Sequence, residues 1–352
     1  MATLSAQQQQ AASMIDAAIK ARGEAFVLHG LAGTGKTTTL GHIARSNPDA
    51  ILCTLTGKAA SVLSGKTGVP VQTIHSAFYK LTGKARDEKG RKQLYWKEKN
   101  GQASMRHRTV LIDECSMVDD RMAEDIIRTG ATIVACGDPG QLPPVRGRQF
   151  FNRPDFMLTE IHRQAQESPI IRQAHRVRET GEYAADGDDF RISKRGTADD
   201  IRNADAILCW TNKTRDAANQ RARSLRGIWM PHPQSGEPIM CLKNNADYGL
   251  FNGAIYELAD RFIDGDDSIC ILIDGKRRVI PNAVFRGIPS ALDPEDEAEG
   301  YFDYGYAFTC HKAQGSEFDS VVLIDEYRGS DQRRQWLYTG ITRAAKRILI
   351  LA

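Results

Sequence analysis

Apolar positions along the chain recur with two periods. Over Leu4–Ala21, Ala11, Met14, Ile15, Ala18 and Ile19 share one face at helical spacing, with Ser5 standing as a cap, which predicts an amphipathic helix. Short continuous apolar runs at Phe26–Leu28, Ala50–Leu55, Thr109–Glu114 and Ala131–Ala135 predict buried strands. Helices are expected between them: after Gly35, through Leu63, and over Arg121–Arg128. Leu158–Gly181 reads as one helix rich in cations (Arg163, Arg172, Arg176, Arg178). The strand Ile207–Trp210 and a helix to about Arg226 follow. The alternation returns over Tyr306–Val322, with the strand Val321–Asp325 and a last strand, Ile348–Leu351. Strands alternating with helices on both sides of residue 158 predict an α/β protein of two units with mostly parallel sheets.

Two stretches break the alternation. Between Lys84 and Lys99 there are seven Lys/Arg and three acids around Leu94-Tyr95-Trp96, with turn signals at Lys89-Gly90 and Asn100-Gly101. Lys80–Arg108 is therefore expected to be a charged β-hairpin inserted in the first unit, its basic and aromatic residues suited to nucleic acid. Across Ile228–Pro289, the β-rich runs Pro238–Lys243, Ala254–Phe262, Ser268–Asp274 and Lys276–Ile280 are separated by turn pairs, Asp274-Gly275 the strongest hairpin signal. They predict a small barrel inserted in the second unit. Asp293–Glu299 reads as a solvated acidic loop.

With 352 residues the chain has room for two or three domains, and 41% hydrophobic with 26% charged residues suits a globular protein. A net charge of +3 excludes a uniformly basic protein and leaves room for local basic grooves. The seven cysteines form no C-x-x-C pair and mostly sit in apolar runs, as expected of reduced core residues in a cytosolic protein without a zinc site. No apolar run approaches the roughly 18 residues of a membrane span, and the start of the chain has no signal-peptide pattern.

The chemistry begins at Phe26–Leu40, FVLHGLAGTGKTTTL, which matches G-x-x-x-x-G-K-[ST] in strand–loop–helix context. Gly30, Gly33 and Gly35 let backbone N–H groups converge on one anion at a helix N-terminus. Lys36 is expected to reach the β- and γ-phosphates and Thr37 to ligate Mg²⁺, so the chain binds a nucleoside triphosphate. In TVLIDE, Asp113 would hold the Mg²⁺ shell and Glu114 polarise the attacking water. Gly137–Pro144 (GDPGQLPP) forms a rigid turn that places Gln141 to sense the γ-phosphate or the water. Thr56-Gly57-Lys58, at a helix start, is a weaker anion signal; His75 among apolar neighbours suits a structural role, and Arg343 either a surface residue or an arginine finger.

Together the blocks GLAGTGKT, TGKAA, QTIHS, IDECSM, GDPGQLPPV, IHRQ, FTCHKAQGSEF and LYTGITRA, in this order, resemble superfamily 1 helicases of the B branch, the RecD-like and Dda-like 5′→3′ enzymes. The resemblance implies two RecA-like P-loop domains with ATP and Mg²⁺ in the cleft between them. The first would span 1–79 and 109–157, interrupted by a pin at 80–108. The second would span 158–227 and 301–352, interrupted by an SH3-like β-barrel at 228–300. It implies nucleotide contacts from Gly33, Thr34, Gly35, Lys36, Thr37 and Thr38, with Gly315 and Glu317 near the ribose. Gln8, or Gln7 as the alternative, would read adenine. Arg163 and Arg343 of the second domain would join Lys36, Glu114 and Gln141 at the γ-phosphate. Single-stranded DNA would meet Thr56, Lys58 and His75 in the first domain, Trp96 in the pin, and Thr309, His311 and Lys312 in the second. Cys115 stands where the family more often has Ala. The expected activity is ATP-driven unwinding of duplex or forked DNA by a compact, phage-like monomer without the long N-terminal domain of bacterial RecD-like relatives. It would act in the cytoplasm of a bacterial or phage-infected cell, with a single-strand-binding or replisome protein as a possible partner. A translocase that strips proteins without unwinding and a non-hydrolysing loader are the alternatives.

Overall fold

The computed structural model of the chain describes residues 4–23, 25–86, 92–98, 105–144, 147–245, 247–261, 267–273, 275–294 and 297–352. These form two units, Met1–Gln166 and Glu167–Ala352.

In the first unit the chain runs α1 (Ala6–Ala21), β1 (Ala25–Gly30), α2 (Lys36–Ser46), β2 (Ile51–Thr54), α3 (Gly57–Thr67), β3 (Val71–Thr73) and α4 (Ile74–Phe78). It continues through β4 (Tyr79–Arg86), β5 (Lys92–Glu98), β6 (Thr109–Ile112), a 3₁₀ turn (Cys115–Met117), α5 (Asp120–Arg128), β7 (Thr132–Gly137), β8 (Phe156–Leu158) and α6 (Arg163–Gln166). A six-stranded parallel sheet has the order β3-β2-β6-β7-β1-β8. Its inner strands β2, β6, β7 and β1 are buried on both faces, and alternate residues serve opposite cores. Val110, Ile112 and Ile133 pack with Ile74 and Phe78 on one side. Leu28, Leu111 and Val134 pack with Ile15, Leu40 and Ile43 on the other. β4 and β5 pair as an antiparallel hairpin in a sheet of their own. Its turn at Lys89-Gly90 and the signal at Asn100-Gly101 lie outside the described residues.

The second unit runs α7 (Pro169–Thr180), β9 (Phe190–Ser193), α8 (Ala198–Arg202), β10 (Ala206–Cys209) and α9 (Asn212–Leu225). Then come β11 (Pro238–Cys241), β12 (Ile255–Arg261), β13 (Ile269–Ile273), β14 (Lys276–Ile280), β15 (Ala283–Phe285) and β16 (Gly300–Tyr304). It ends with β17 (Ala307–Thr309), α10 (Cys310–Ala313), β18 (Phe318–Ile324), α11 (Arg333–Ile341) and β19 (Ala344–Leu351). Its main sheet is parallel, in the order β17-β10-β18-β19-β9.

Four expectations change. Leu158–Gly181 is not one helix: Leu158 ends β8, paired with Gly30 of β1, and Pro169 opens a separate helix at its first turn, where proline is tolerated. The division between units therefore falls after residue 166, and Arg163 belongs to the first unit. The inserted β-region is a six-stranded sheet, β14-β13-β12-β11-β16-β15, with no ladder joining its end strands among the described residues. It includes β16, because Gly300–Tyr304 pairs with β11 and β15 rather than with the main sheet. Gly305 makes the exit: a Cβ there would lie 2.9 Å from the Pro238 carbonyl, so only glycine permits the close approach. The short elements β9 and α8 had no apolar run to announce them.

Candidate functional site

β6, β7 and β1 are neighbours at the centre of the first sheet, and their carboxyl ends open on one edge. The loop after β1 turns at Gly33 and Gly35, both in the left-handed region (φ 83° and 76°). A Cβ on Gly35 would also run into the Gln8 amide and the His162 ring, so a side chain there would displace both. Gly35 caps α2 without any side-chain bond, and no acid stands in the first turn, so the first N–H groups of α2 face outward unneutralised. Thr34 is buried and donates to the Leu31 carbonyl at 2.8 Å, Thr37 is half-buried in the first turn, and Thr38 is exposed. Lys36 Nζ donates to the Leu31 carbonyl at 3.0 Å and lies 3.5 Å from Asp138 Oδ2. Burial opposes the Lys36 charge, but Asp138 foremost among the surrounding acids more than offsets it, and the ammonium is held above the usual lysine range.

At the end of β6, Asp113 Oδ1 accepts the Glu114 N–H at 3.0 Å. Burial, then the charge of Glu114, pushes the Asp113 carboxyl well above the ordinary range. Glu114 itself adopts φ 55°, a left-handed conformation that a side-chain-bearing residue seldom takes. Its Oε2 is buried without a hydrogen-bond partner, as is Gln141 Oε1 at the end of β7 and Thr54 Oγ1 at the end of β2. Buried polar atoms are rarely left unsatisfied, so these open acceptors, Glu114 Oε2 and Gln141 Oε1, mark a place suited to a donor such as water. Cys115 Sγ packs on Gly137, where a Cβ would lie 2.6 Å away, and burial keeps the thiol protonated.

The donor set fits Mg²⁺, a hard cation commonly held by one or two protein oxygens plus phosphates. Thr37 and Asp113 supply a hydroxyl and a carboxylate, and among the described residues no group of three or more His, Cys, Asp or Glu competes as a metal cage.

The glutamines of α1 divide their roles. Gln8 is buried over the phosphate loop, its Nε2 3.2 Å from the Thr34 carbonyl, 3.4 Å from that of Gly35 and 2.8 Å from His162 Nε2. Gln7 turns the other way, its Oε1 accepting the Thr159 and Glu160 N–H groups at 2.9 Å each. Gln8 is thus the one brought to the loop. Two residues were not anticipated. Asp138, the acid of GDPGQLPP, pairs with the loop lysine. His162, in the IHRQ block, donates its backbone N–H to the Gly33 carbonyl at 3.1 Å. Arg163 follows it as the first residue of α6.

Of the nucleic-acid candidates in this unit, Thr56 caps α3 by accepting the Ala59 N–H at 3.2 Å, and Lys58 stands in its first turn. Burial lowers Lys58 to about 8. His75 on α4 lies 5.4 Å from the Tyr79 ring, its basicity lowered by burial. Trp96 lies on β5 opposite Leu81.

In the second unit, Thr309, His311 and Lys312 cluster where β17 passes into α10. Burial lowers the basicity of His311 and Lys312. Gly315 (φ 71°) turns the chain and Glu317 follows, exposed. Arg343 is only 6% exposed and donates to the Thr339 carbonyl, the Ser316 carbonyl and Thr342 Oγ1 at 3.1–3.2 Å, all neutral oxygens. Of its two sequence readings, surface residue is excluded.

A family profile described as an AAA domain matches residues 3–194, and one described as a UvrD-like helicase C-terminal domain matches 304–351. The ATP-dependent RecD2 DNA helicase of Deinococcus radiodurans is 27% identical over 365 residues, covering 91% of this chain and 46% of that protein. The ATP-dependent DNA helicase dda of Enterobacteria phage T4 is 30% identical over 189 residues, covering 49% of this chain and 42% of that protein. The chain thus spans about half the length of these curated relatives. In fold it resembles the Pif1 helicase of Bacteroides bound to ssDNA, with a TM-score of 0.68 at 18% identity over 100% of this chain and 93% of that one.

Proposed function

This chain belongs to the B branch of the superfamily 1 helicases, and we propose that it is an ATP-driven 5′→3′ helicase that moves along single-stranded DNA and opens duplex ahead of it. The observation that carries the hydrolytic part is the gathering of the phosphate loop, Asp113-Glu114 and Gln141 on one edge of three adjacent strands, with Glu114 Oε2 and Gln141 Oε1 unpartnered. The N-terminus of α2 and Lys36 bind the phosphates, and Asp138 holds Lys36 in place until they arrive. Mg²⁺, held through Thr37 and Asp113, would neutralise phosphate charge. Glu114 takes the proton of the attacking water while Gln141 orients it. Gln8 reads the adenine edge, for which a side-chain amide is suited. Arg343 meets the γ-phosphate during the cycle, and Arg163 joins it. The DNA path passes Thr56, Lys58 and His75, then Thr309, His311 and Lys312, with the β4–β5 hairpin and Trp96 parting the duplex. This reading places the enzyme in the cytoplasm; among the described residues no helix is long and apolar enough to cross a membrane.

Steady-state ATP hydrolysis with and without a single-stranded oligonucleotide tests it. Stimulation by DNA is expected, with Glu114→Gln lowering the stimulated kcat by about 10²-fold or more while nucleotide still binds. Lys36→Ala should weaken nucleotide binding itself. Stimulated turnover unchanged in Glu114→Gln would refute the assignment of the base.

A further inference from the structure

The carboxyl ends of β10 and β17 lie side by side, Cys209 in register with Thr309. Trp210 directly follows β10, and α10, which begins after Thr309, carries His311. Their rings stand 5.2 Å apart, tilted by 47°. Behind Trp210, Tyr327 and Trp336 make edge contacts with it at 4.5 Å and 6.5 Å, and both are buried (7% and 0% exposed) whereas Trp210 is partly open. The backbone is fixed as well as the ring. Glu326 Oε1 accepts the N–H groups of Trp210 at 2.6 Å and Thr211 at 2.8 Å, and its other oxygen accepts the Thr214 hydroxyl. A large aromatic ring, partly exposed and braced beside residues of the proposed DNA path, suits stacking with a nucleobase.

We propose that Trp210 is the base-stacking platform of the second unit, with Glu326 as the residue that positions it. The inference rests on the DNA reading above and extends it, for there the second unit grips only through Thr309, His311 and Lys312. A stacked base gives a hold that does not depend on phosphate charge. It tolerates any sequence, since every base has a π-face. His311, kept neutral by burial, borders the same platform.

Fluorescence anisotropy with the full chain and labelled oligo(dT) tests the proposal, repeated with oligonucleotides carrying one abasic site at each position in turn. In the wild-type protein an abasic site at one position weakens binding distinctly. Trp210→Leu should weaken binding to intact oligo(dT) by about 5- to 100-fold and abolish the penalty at that position. Trp210→Phe keeps a stacking face and should retain both affinity and penalty in large part. Circular dichroism melting checks folding, and Trp210→Phe keeps the test decisive where Trp210→Leu fails to fold. An abasic profile unchanged in Trp210→Leu, or flat in the wild type, overturns the stacking role alone. No binding of oligo(dT) by the wild-type protein overturns the DNA reading itself and this inference with it.

Discussion

Single residues carry opposite burdens in the two halves of the proposed function. At the nucleotide edge, burial is countered by close charge: Lys36 is held charged chiefly by Asp138. On the proposed DNA path burial prevails, and Lys58 is lowered to about 8. A lysine disfavoured as a cation in the free fold destabilises it below that pKa, and the penalty fades as pH rises toward the unfolded value. A bound phosphate reverses the preference by pairing with the ammonium, so binding takes up a proton when the pH exceeds about 8. Affinity for single-stranded DNA should therefore fall as pH rises from 7.5 through 9, and the fall should be shallower in Lys58→Met. Lys312, also lowered by burial, accounts for the remaining slope. Equal slopes in wild type and Lys58→Met would show that Lys58 does not meet phosphate.

Elements show how far the sequence could be followed. Four strands of the first sheet and the phosphate loop hold local signals: β1, β2, β6 and β7 stand where their apolar runs fall, whereas β3 and β8 were not foreseen. The stretch after residue 158 misled because its arginines suggest one exposed helix. The pairing of Leu158 with Gly30 is set by the sheet edge, which has no local signature. A second example is LIDE, which occurs at Leu111–Glu114 and again at Leu323–Glu326. In the first, Glu114 keeps an unpartnered oxygen. In the second, Asp325 is taken by Arg333 at 2.7 Å and Tyr183 at 2.6 Å, and Glu326 accepts the Trp210 and Thr211 N–H groups just before α9. Identical letters diverge because only the first lies beside a phosphate-loop lysine, Lys36 at the start of α2. Residues that bind between elements were likewise hidden. Arg223 of α9 is 1% exposed and grips Glu237 through two bonds, at 2.8 and 3.0 Å, while touching the Tyr304 hydroxyl. This ties the helix to the inserted β-region. Arg223→Ala leaves Glu237 buried and uncompensated and should cost about 3–5 kcal/mol. Denaturant unfolding of the chain would reveal it; a loss under ~1 kcal/mol would mean that the pair is not needed to hold the insert.

At the scale of the molecule, the two parallel sheets and two β-insertions were legible as alternation and its interruption, whereas the strand order of the second insertion among the described residues and its capture of β16 depend on long-range pairing. The hairpin of β4 and β5 has its own small sheet, so its role separates from that of the nucleotide edge. Replacing residues 84–94 with a two-residue turn should leave DNA-stimulated ATP hydrolysis within about twofold and abolish unwinding; the two rates together distinguish a helicase from a plain translocase. The measurement that tests the account most directly is strand separation of a forked duplex bearing either a 5′ or a 3′ single-stranded tail, with ATP and Mg²⁺. The account predicts separation from the 5′-tailed substrate, none from the 3′-tailed one, and none with Glu114→Gln. Unwinding from the 3′ tail would contradict the proposed direction, and ATP hydrolysis without separation of either substrate would contradict the helicase reading.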